Sequence, residues 1–422
     1  MNTGSVQSAV LASLVFMACS DGDIQWTGTV ADSAGITIVH NPAEGAWTEN
    51  SGWGVEEELR IGMADGDPDY MFGSIGGIAV SSSNLIYVFD SQASLIRAYD
   101  QQGVLQLSFG SAGAGPGQFS PQAGPILLGA GDTLLIPDMG TQRVNRFTAS
   151  GEDAGTYRIA IQDGIPVRWQ ENESGEIVNQ VRPVSFDASE PTDTLDLVAV
   201  RNADGVAIDS LIQFRSGESF SFTGGAPKFK FFPPEPMWWL AGNGALWHGI
   251  NDEYRIGLYE NATLTRIITK PFERPPVTED DKDAMLTAMR AFMENLGVPA
   301  QAWPIIRQGI SFTEYYPAYA QFRSGPNGSL LVQHLLRLSD LSEDELKDIN
   351  PQVGFGSSDW DVFDSQGRFL GELTMPDRFQ AIRFVANNVY GVWRDDLDVQ
   401  YVMKLRITGL PGADTGGIPI AE

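Results

Sequence analysis

Apolar runs of strand length, each closed by a turn rich in Gly, Asn or Asp, recur along most of the chain and predict β-strands rather than helices. Self-comparison orders them. Gly76-Gly77-Ile78-Ala79-Val80, Leu85 to Asp90, Leu95 to Tyr99 and a turn at Gly103 are repeated 48 residues later. The second copy runs Gly124 to Leu128, Thr133 to Asp138, Arg143 to Phe147 and Gly151, which makes Asp90 equivalent to Asp138 and Tyr99 to Phe147. A unit of three or four short strands cannot bury both faces alone, so such a repeat implies neighbours stacked against each other.

The same template places weaker copies. Ile165 to Trp169, Glu176 to Val184, Leu195 to Val200 and Val206 to Phe214 form a third unit, and Met237 to Ala241, Ala245 to Ile250, Arg255 to Tyr259 and Thr263 to Thr269 a fourth. Ala318 to Arg323, Ser329 to Leu335, Trp360 to Phe363 and Phe369 to Leu373 form a fifth. The sixth, Gln380 to Val385, Val389 to Arg394 and Gln400 to Ile407, lacks a strand, whereas Glu57 to Ile61 is spare. Pairing the two closes a ring and removes open sheet edges. Two insertions break the pattern. From Thr278 to Leu296, Met285, Leu286, Met289, Phe292, Met293 and Leu296 fall at helical spacing. From Leu338 to Pro351, Ser342 and Glu345 form a capping box with a Leu341–Leu346 staple. Both are expected on one rim.

Gly113-Ala114-Gly115-Pro116-Gly117-Gln118-Phe119 lies between the two clear copies, with glycines for the sharp turn and Phe119 to anchor the next unit. This stretch resembles the linker of NHL-repeat propellers. The wider chain is similar to the six-bladed β-propeller lipoproteins of Gram-negative bacteria, many of which have no assigned activity, most sharply over residues 59 to 160. The resemblance implies an all-β, six-bladed propeller closed by an N-terminal strand, with two short helical insertions at about 277–297 and 338–351. It spans residues 54–408, after a signal at 1–18 and a linker at 19–53, and before a tail at 409–422.

Composition agrees: 46 Gly, 24 Pro and 10% aromatics in 422 residues suit many short strands joined by turns. A formal charge of −27 repels polyphosphate backbones and excludes nucleic acid as a partner. Cys19 is the single cysteine, so no intramolecular disulfide forms. The uncharged stretch Ala9 to Ala18 runs into it, and resembles a bacterial lipoprotein signal with Cys19 as the lipidated residue, although no Lys or Arg precedes it. Ser20 then implies outer-membrane retention. The expected location is the cell envelope, as a periplasmic or outer-membrane lipoprotein, with membrane contact only through the lipid anchor.

The chain offers no nucleophile elbow and no helical pair of histidines for zinc. His40 falls near the N-terminus, and His248 and His334 fall on second strands of different units, where they read as satisfied strand histidines. Asp65-Gly66-Asp67-Pro68-Asp69 lacks the downstream ligands of a calcium loop and reads as a solvated turn, as does Arg394-Asp395-Asp396. Propeller lactonases hold calcium with channel carboxylates, and the innermost strands as bounded above contain none. They contain instead Arg168, Arg323 and Arg383, from three units of a strongly acidic protein. Arginine presents a planar donor fork suited to carboxylate or phosphate, so these residues and Trp239 are the candidate ligand-binding set. The bland alternative pairs each arginine with a protein carboxylate. Trp169, Trp238, Trp303, Tyr315, Tyr316 and Tyr319 are expected mostly in the core, with a few at the rim.

The expected function is that of a non-enzymatic binding propeller for a protein partner or a small anionic ligand, with no catalytic residue, metal or cofactor assigned. A hydrolase or lactonase with a loop-built metal site is the first rival. An accessory subunit of a membrane complex, docking through the Met-rich helix and acidic rim, is the second.

Overall fold

The computed structural model describes residues 26–48, 51–161, 164–183, 195–223, 226–295, 297–348 and 355–410. Six antiparallel sheets dominate them. Blade 1 comprises Ile75–Val80, Ile86–Asp90, Leu95–Tyr99 and Leu105–Phe109. Blade 2 comprises Leu127–Leu128, Leu134–Asp138, Arg143–Phe147 and Asp153–Arg158. Blade 3 comprises Ile165–Glu171, Ile177–Arg182, Leu195–Arg201 and Ala207–Arg215. Blade 4 comprises Pro236–Leu240, Leu246–Ile250, Arg255–Glu260 and Thr263–Thr269. Blade 5 comprises Gln321–Ser324, Leu330–Leu335, Gly356–Phe363 and Phe369–Thr374. Blade 6 comprises Phe379–Val385, Asn388–Arg394 and Gln400–Thr408, with Gly54–Ile61 as its outer strand. That closing strand pairs antiparallel from Gly54↔Thr408 to Ile61↔Val402, as the spare-strand argument predicts.

Six apolar clusters join the blades in succession. Blade 6 meets blade 1 through Tyr390, Val402 and Ile78, and blade 1 meets blade 2 through Phe89, Phe119 and Ile136. Blades 2 and 3 share Leu127 and Ile177, and blades 3 and 4 share Val178 and Trp238. Blades 4 and 5 share Ile256 and Phe322, and blades 5 and 6 share Trp360 and Val389. The ring is therefore closed. Both faces of each inner blade region are buried, which is why the second strands of blades 1 and 2 are buried at every position, whereas the outer strand Leu105–Phe109 alternates.

The equivalence of Asp90 and Asp138 has a structural cause. Each ends a second strand and accepts backbone N–H bonds from the loop entering its own blade: Gly73 (3.0 Å) and Ser74 (3.2 Å) for Asp90, Ser120 (3.0 Å) for Asp138. Phe119 is fully buried 5.2 Å from the Phe89 ring and 5.6 Å from the Phe147 ring, as its linker position demands.

Both insertions lie on one rim. Helix α1 (Glu279–Asn295), helix α2 (Trp303–Gln308) and helix α3 (Glu343–Asp348) share a cluster containing Met285, Met289, Trp303, Ile306, Leu338 and Leu346. The capping box of α3 forms: the Ser342 amide donates to Glu345 at 2.8 Å and the Glu345 amide to Ser342 Oγ at 3.3 Å. The pattern did not reveal α2, nor a small sheet of Phe220–Thr223, Ala226–Phe231 and Ile310–Phe312.

Within the stretch read as a linker, Thr29–Ser33 and Ile36–His40 form a hairpin that adds in parallel to the outer strand of blade 4. Asn41 then ties it to blade 5, donating to the Gly367 carbonyl at 2.9 Å and accepting from the Phe369 amide at 2.6 Å. The hairpin covers a sheet edge that would otherwise stand open.

Candidate functional site: the arginines of the channel

The first strand of each blade lines the axis of the ring. The insertions attach where these strands begin or where second strands end, which is one and the same rim. Arg168 stands at the middle of Ile165–Glu171, and Trp239, Arg323 and Arg383 in the later halves of Pro236–Leu240, Gln321–Ser324 and Phe379–Val385. The latter three therefore lie toward the opposite rim, where tight turns lead into the second strands.

Arg168 and Arg323 flank blade 4 from its two neighbours and meet around its inner strand. Arg168 donates to the Trp238 carbonyl at 3.1 Å, and the Arg323 guanidinium lies 3.8 Å from the centre of the Trp239 ring. The Arg323 side chain has no hydrogen bond or ion pair among the described residues, and its Nε is buried without a partner. Beside Arg168, the Gln170 carboxamide accepts from the Leu240 amide at 3.1 Å, which leaves its buried Nε2 with no acceptor. Neither arginine is paired with a described carboxylate. Burial pushes the Arg168 guanidinium down to about 10, and burial followed by the adjacent Arg168 charge pushes Arg323 down to about 9. Both stay cationic at neutral pH. Two like charges with no carboxylate partner among the described residues, beside the orphan donors Arg323 Nε and Gln170 Nε2, form a site short of acceptors.

Arg383 behaves differently, and here the sequence reading requires correction. The inner strand of blade 3 extends beyond Trp169 to Glu171, so the inner strands do carry a carboxylate, and Arg383 forms a short ion pair with it. Gln170 and Glu171 were missed for the same reason. The turn at Asn172 to Gly175 marks where the strand ends, and placing the boundary there would have included both.

The remaining candidates resolve as structural. His248 stacks on Phe214 with ring centres 4.6 Å apart, and burial lowers its pKa. His40 Nδ1 lies 3.1 Å from Thr269 Oγ1. His334 joins a network between blades 4 and 5: its Nε2 lies 3.0 Å from buried Asp361, which also accepts from Tyr254 at 2.5 Å and from Lys270 at 2.8 Å on each oxygen. With Glu372 these groups come within metal-ligating reach, yet Lys270 already supplies the positive charge. Burial pushes the His334 pKa down, but hydrogen bonding and charge from Asp361, with Glu372, outweigh it and leave the pKa raised.

Trp238, Tyr316 and Tyr319 are fully buried, whereas Tyr315 is exposed. The Asp65–Asp69 stretch is a turn in which Asp67 accepts from the Asp69 amide at 3.0 Å, and Arg394 pairs with Asp398 at 2.9 Å. Cys19 and the leader lie outside the described residues. No helix among the described residues is long and apolar enough to cross a membrane.

No protein-family model matches the chain, and no curated protein matches it. Solved structures do. An exported protein of Bacteroides fragilis overlays it with a TM-score of 0.51 at 10% identity, covering 88% of this chain and 99% of that one. A virginiamycin B lyase from Staphylococcus aureus has a TM-score of 0.38 at 11% identity, over 84% of this chain and 99% of its own. A gluconolactonase from Xanthomonas campestris has 0.39 at 12%, over 83% and 98%. At such identities the likeness bears on fold alone. From its closed ring of six four-stranded blades and its overlay on the B. fragilis protein, the chain is a six-bladed β-propeller.

Proposed function

We propose that this propeller is an exported, non-enzymatic binding protein that takes a small anionic ligand in its channel. One observation carries the reading: Arg168 and Arg323 stand together around the inner strand of blade 4 with no carboxylate partner among the described residues, in a protein of net charge −27. A buried unpaired charge is costly, so a site that keeps two of them beside unused donors gains most from an anion that accepts from both. Succinate and citrate titrated by calorimetry test it. Arg168→Met and Arg323→Met are each expected to weaken binding by about tenfold or more, with a much smaller effect on thermal stability. Affinity is expected to fall as NaCl rises. Unchanged affinity in both variants refutes the reading.

The export arm rests on the stretch Ala9 to Ala18 leading into Cys19, and on the exported protein of the same fold. Acylation at Cys19 tethers the ring to a membrane without contributing to its core. Expressed in a Gram-negative host, the wild type is expected to take up labelled palmitate and sediment with membranes, and Cys19→Ala to do neither while folding normally. A wild type that stays unlabelled and keeps Met1 refutes lipidation.

A further inference from the structure

The inner strands of the six blades contribute three cations, Arg168, Arg323 and Arg383, and a single anion, Glu171. That anion is not beside its partner in the chain or in the ring. Glu171 belongs to blade 3 and Arg383 to blade 6, three places apart in either direction, so the ion pair spans the channel itself. Both side chains are largely covered, at 15% and 22% exposure. An ion pair between adjacent blades could serve the wall of the ring. One between opposite blades also fills its axis.

We propose that the Glu171–Arg383 pair is a built-in latch: Glu171 occupies the third guanidinium of the channel, as a ligand carboxylate would, and so limits which anions the channel holds. This rests on the anion-binding reading above. With Glu171 in place the inner strands carry a net charge of two positive, and the axis is bridged. Without it they carry three, and Arg383 is free to accept a further anionic group. Glu171 ends the strand that carries Arg168, so the cross-axis pair and the arginine site share one inner strand, with the two side chains on opposite faces of it. The latch favours small dianions and disfavours ligands of higher charge, because the added attraction of one guanidinium in a partly desolvated channel exceeds that of the same charge in bulk water.

The experiment compares succinate, a dianion, with citrate, a trianion, on the full chain by calorimetry at two salt concentrations. Glu171→Gln is expected to bind citrate roughly three- to tenfold more tightly than the wild type, with a steeper salt dependence and a smaller gain for succinate. Glu171→Ser, too short to span the axis, is expected to reproduce the gain if glutamine retains a bond to Arg383. Arg383→Met in the wild-type background leaves Glu171 unpaired and the inner strands with one net positive charge, so it is expected to weaken citrate binding, and the double variant Glu171→Gln/Arg383→Met, with two positive again, to return it to about the wild-type value. Should the wild type bind either anion through Arg168 and Arg323 while both Glu171 variants bind citrate no better, the latch is overturned and the channel reading stands. If neither the wild type nor any Glu171 variant binds either anion, both are overturned. Binding that appears only in the Glu171 variants supports the latch.

Discussion

At the scale of residues, what matters is which charges find partners. Asp361 is fully buried and accepts from Tyr254, Lys270 and His334, so its carboxylate is held below its ordinary range, burial opposing and His334 and Lys270 overcoming it. His334 is raised for the reciprocal reason, with Glu372 adding to the effect and Lys270 opposing it. A group whose pKa is raised on folding adds stability in full below its unfolded value, about 6.5 for histidine, and loses it as pH rises through the folded value. The melting-temperature gap between wild type and His334→Gln is therefore expected to be widest below about pH 6.5 and to narrow as pH climbs above it. A gap that is flat from pH 5.5 to 9 would sink the assignment. Arg168 and Arg323 present the opposite case, cations for which the described residues offer no such partner.

Among elements, caps and strand ends decide most outcomes. The α1 helix was legible because its apolar positions repeat at helical spacing, and α3 because Ser342 and Glu345 sit at capping-box spacing. Helix α2 and the strands Ala226–Phe231 and Ile310–Phe312 were not. The two strands pair with each other some 80 residues apart in the chain, as in Phe229↔Ile310, and local pattern carries no trace of that pairing. The boundary of the blade 3 inner strand was the costliest error. Two residues omitted at its end, Gln170 and Glu171, are an unsatisfied donor and the carboxylate that crosses the axis.

For the whole molecule the decisive feature is closure. The strand Gly54–Ile61 completes blade 6, and Ile61, almost wholly buried, packs with Ile78, Tyr390 and Val402 at the junction of blades 6 and 1. Opening that junction exposes an apolar sheet face on each side, so the ring is expected to fail as a unit. Ile61→Ala is expected to cost about 2–5 kcal/mol in urea denaturation while keeping a single transition. A loss below the range of surface substitutions, or a separate early transition confined to blade 6, would show that the junction does not hold the ring.

The repeat of four apolar runs, the equivalent aspartates and the spare strand determined the propeller from sequence, because burial on both faces of every sheet imposes a period that local chemistry records. The three arginines were legible too, since they interrupt apolar strands in an acidic chain. Which groups they meet was decided only by the tertiary structure. Whether a guanidinium meets a carboxylate depends on which blades face one another across the axis: Arg383 and Glu171 are 212 residues apart in the chain, and Arg168 meets Arg323 only because blade 4 stands between their blades. Strand propensity acts over a few residues, whereas charge pairing in a ring is fixed by the ring's closure, and no segment of the sequence carries that information alone.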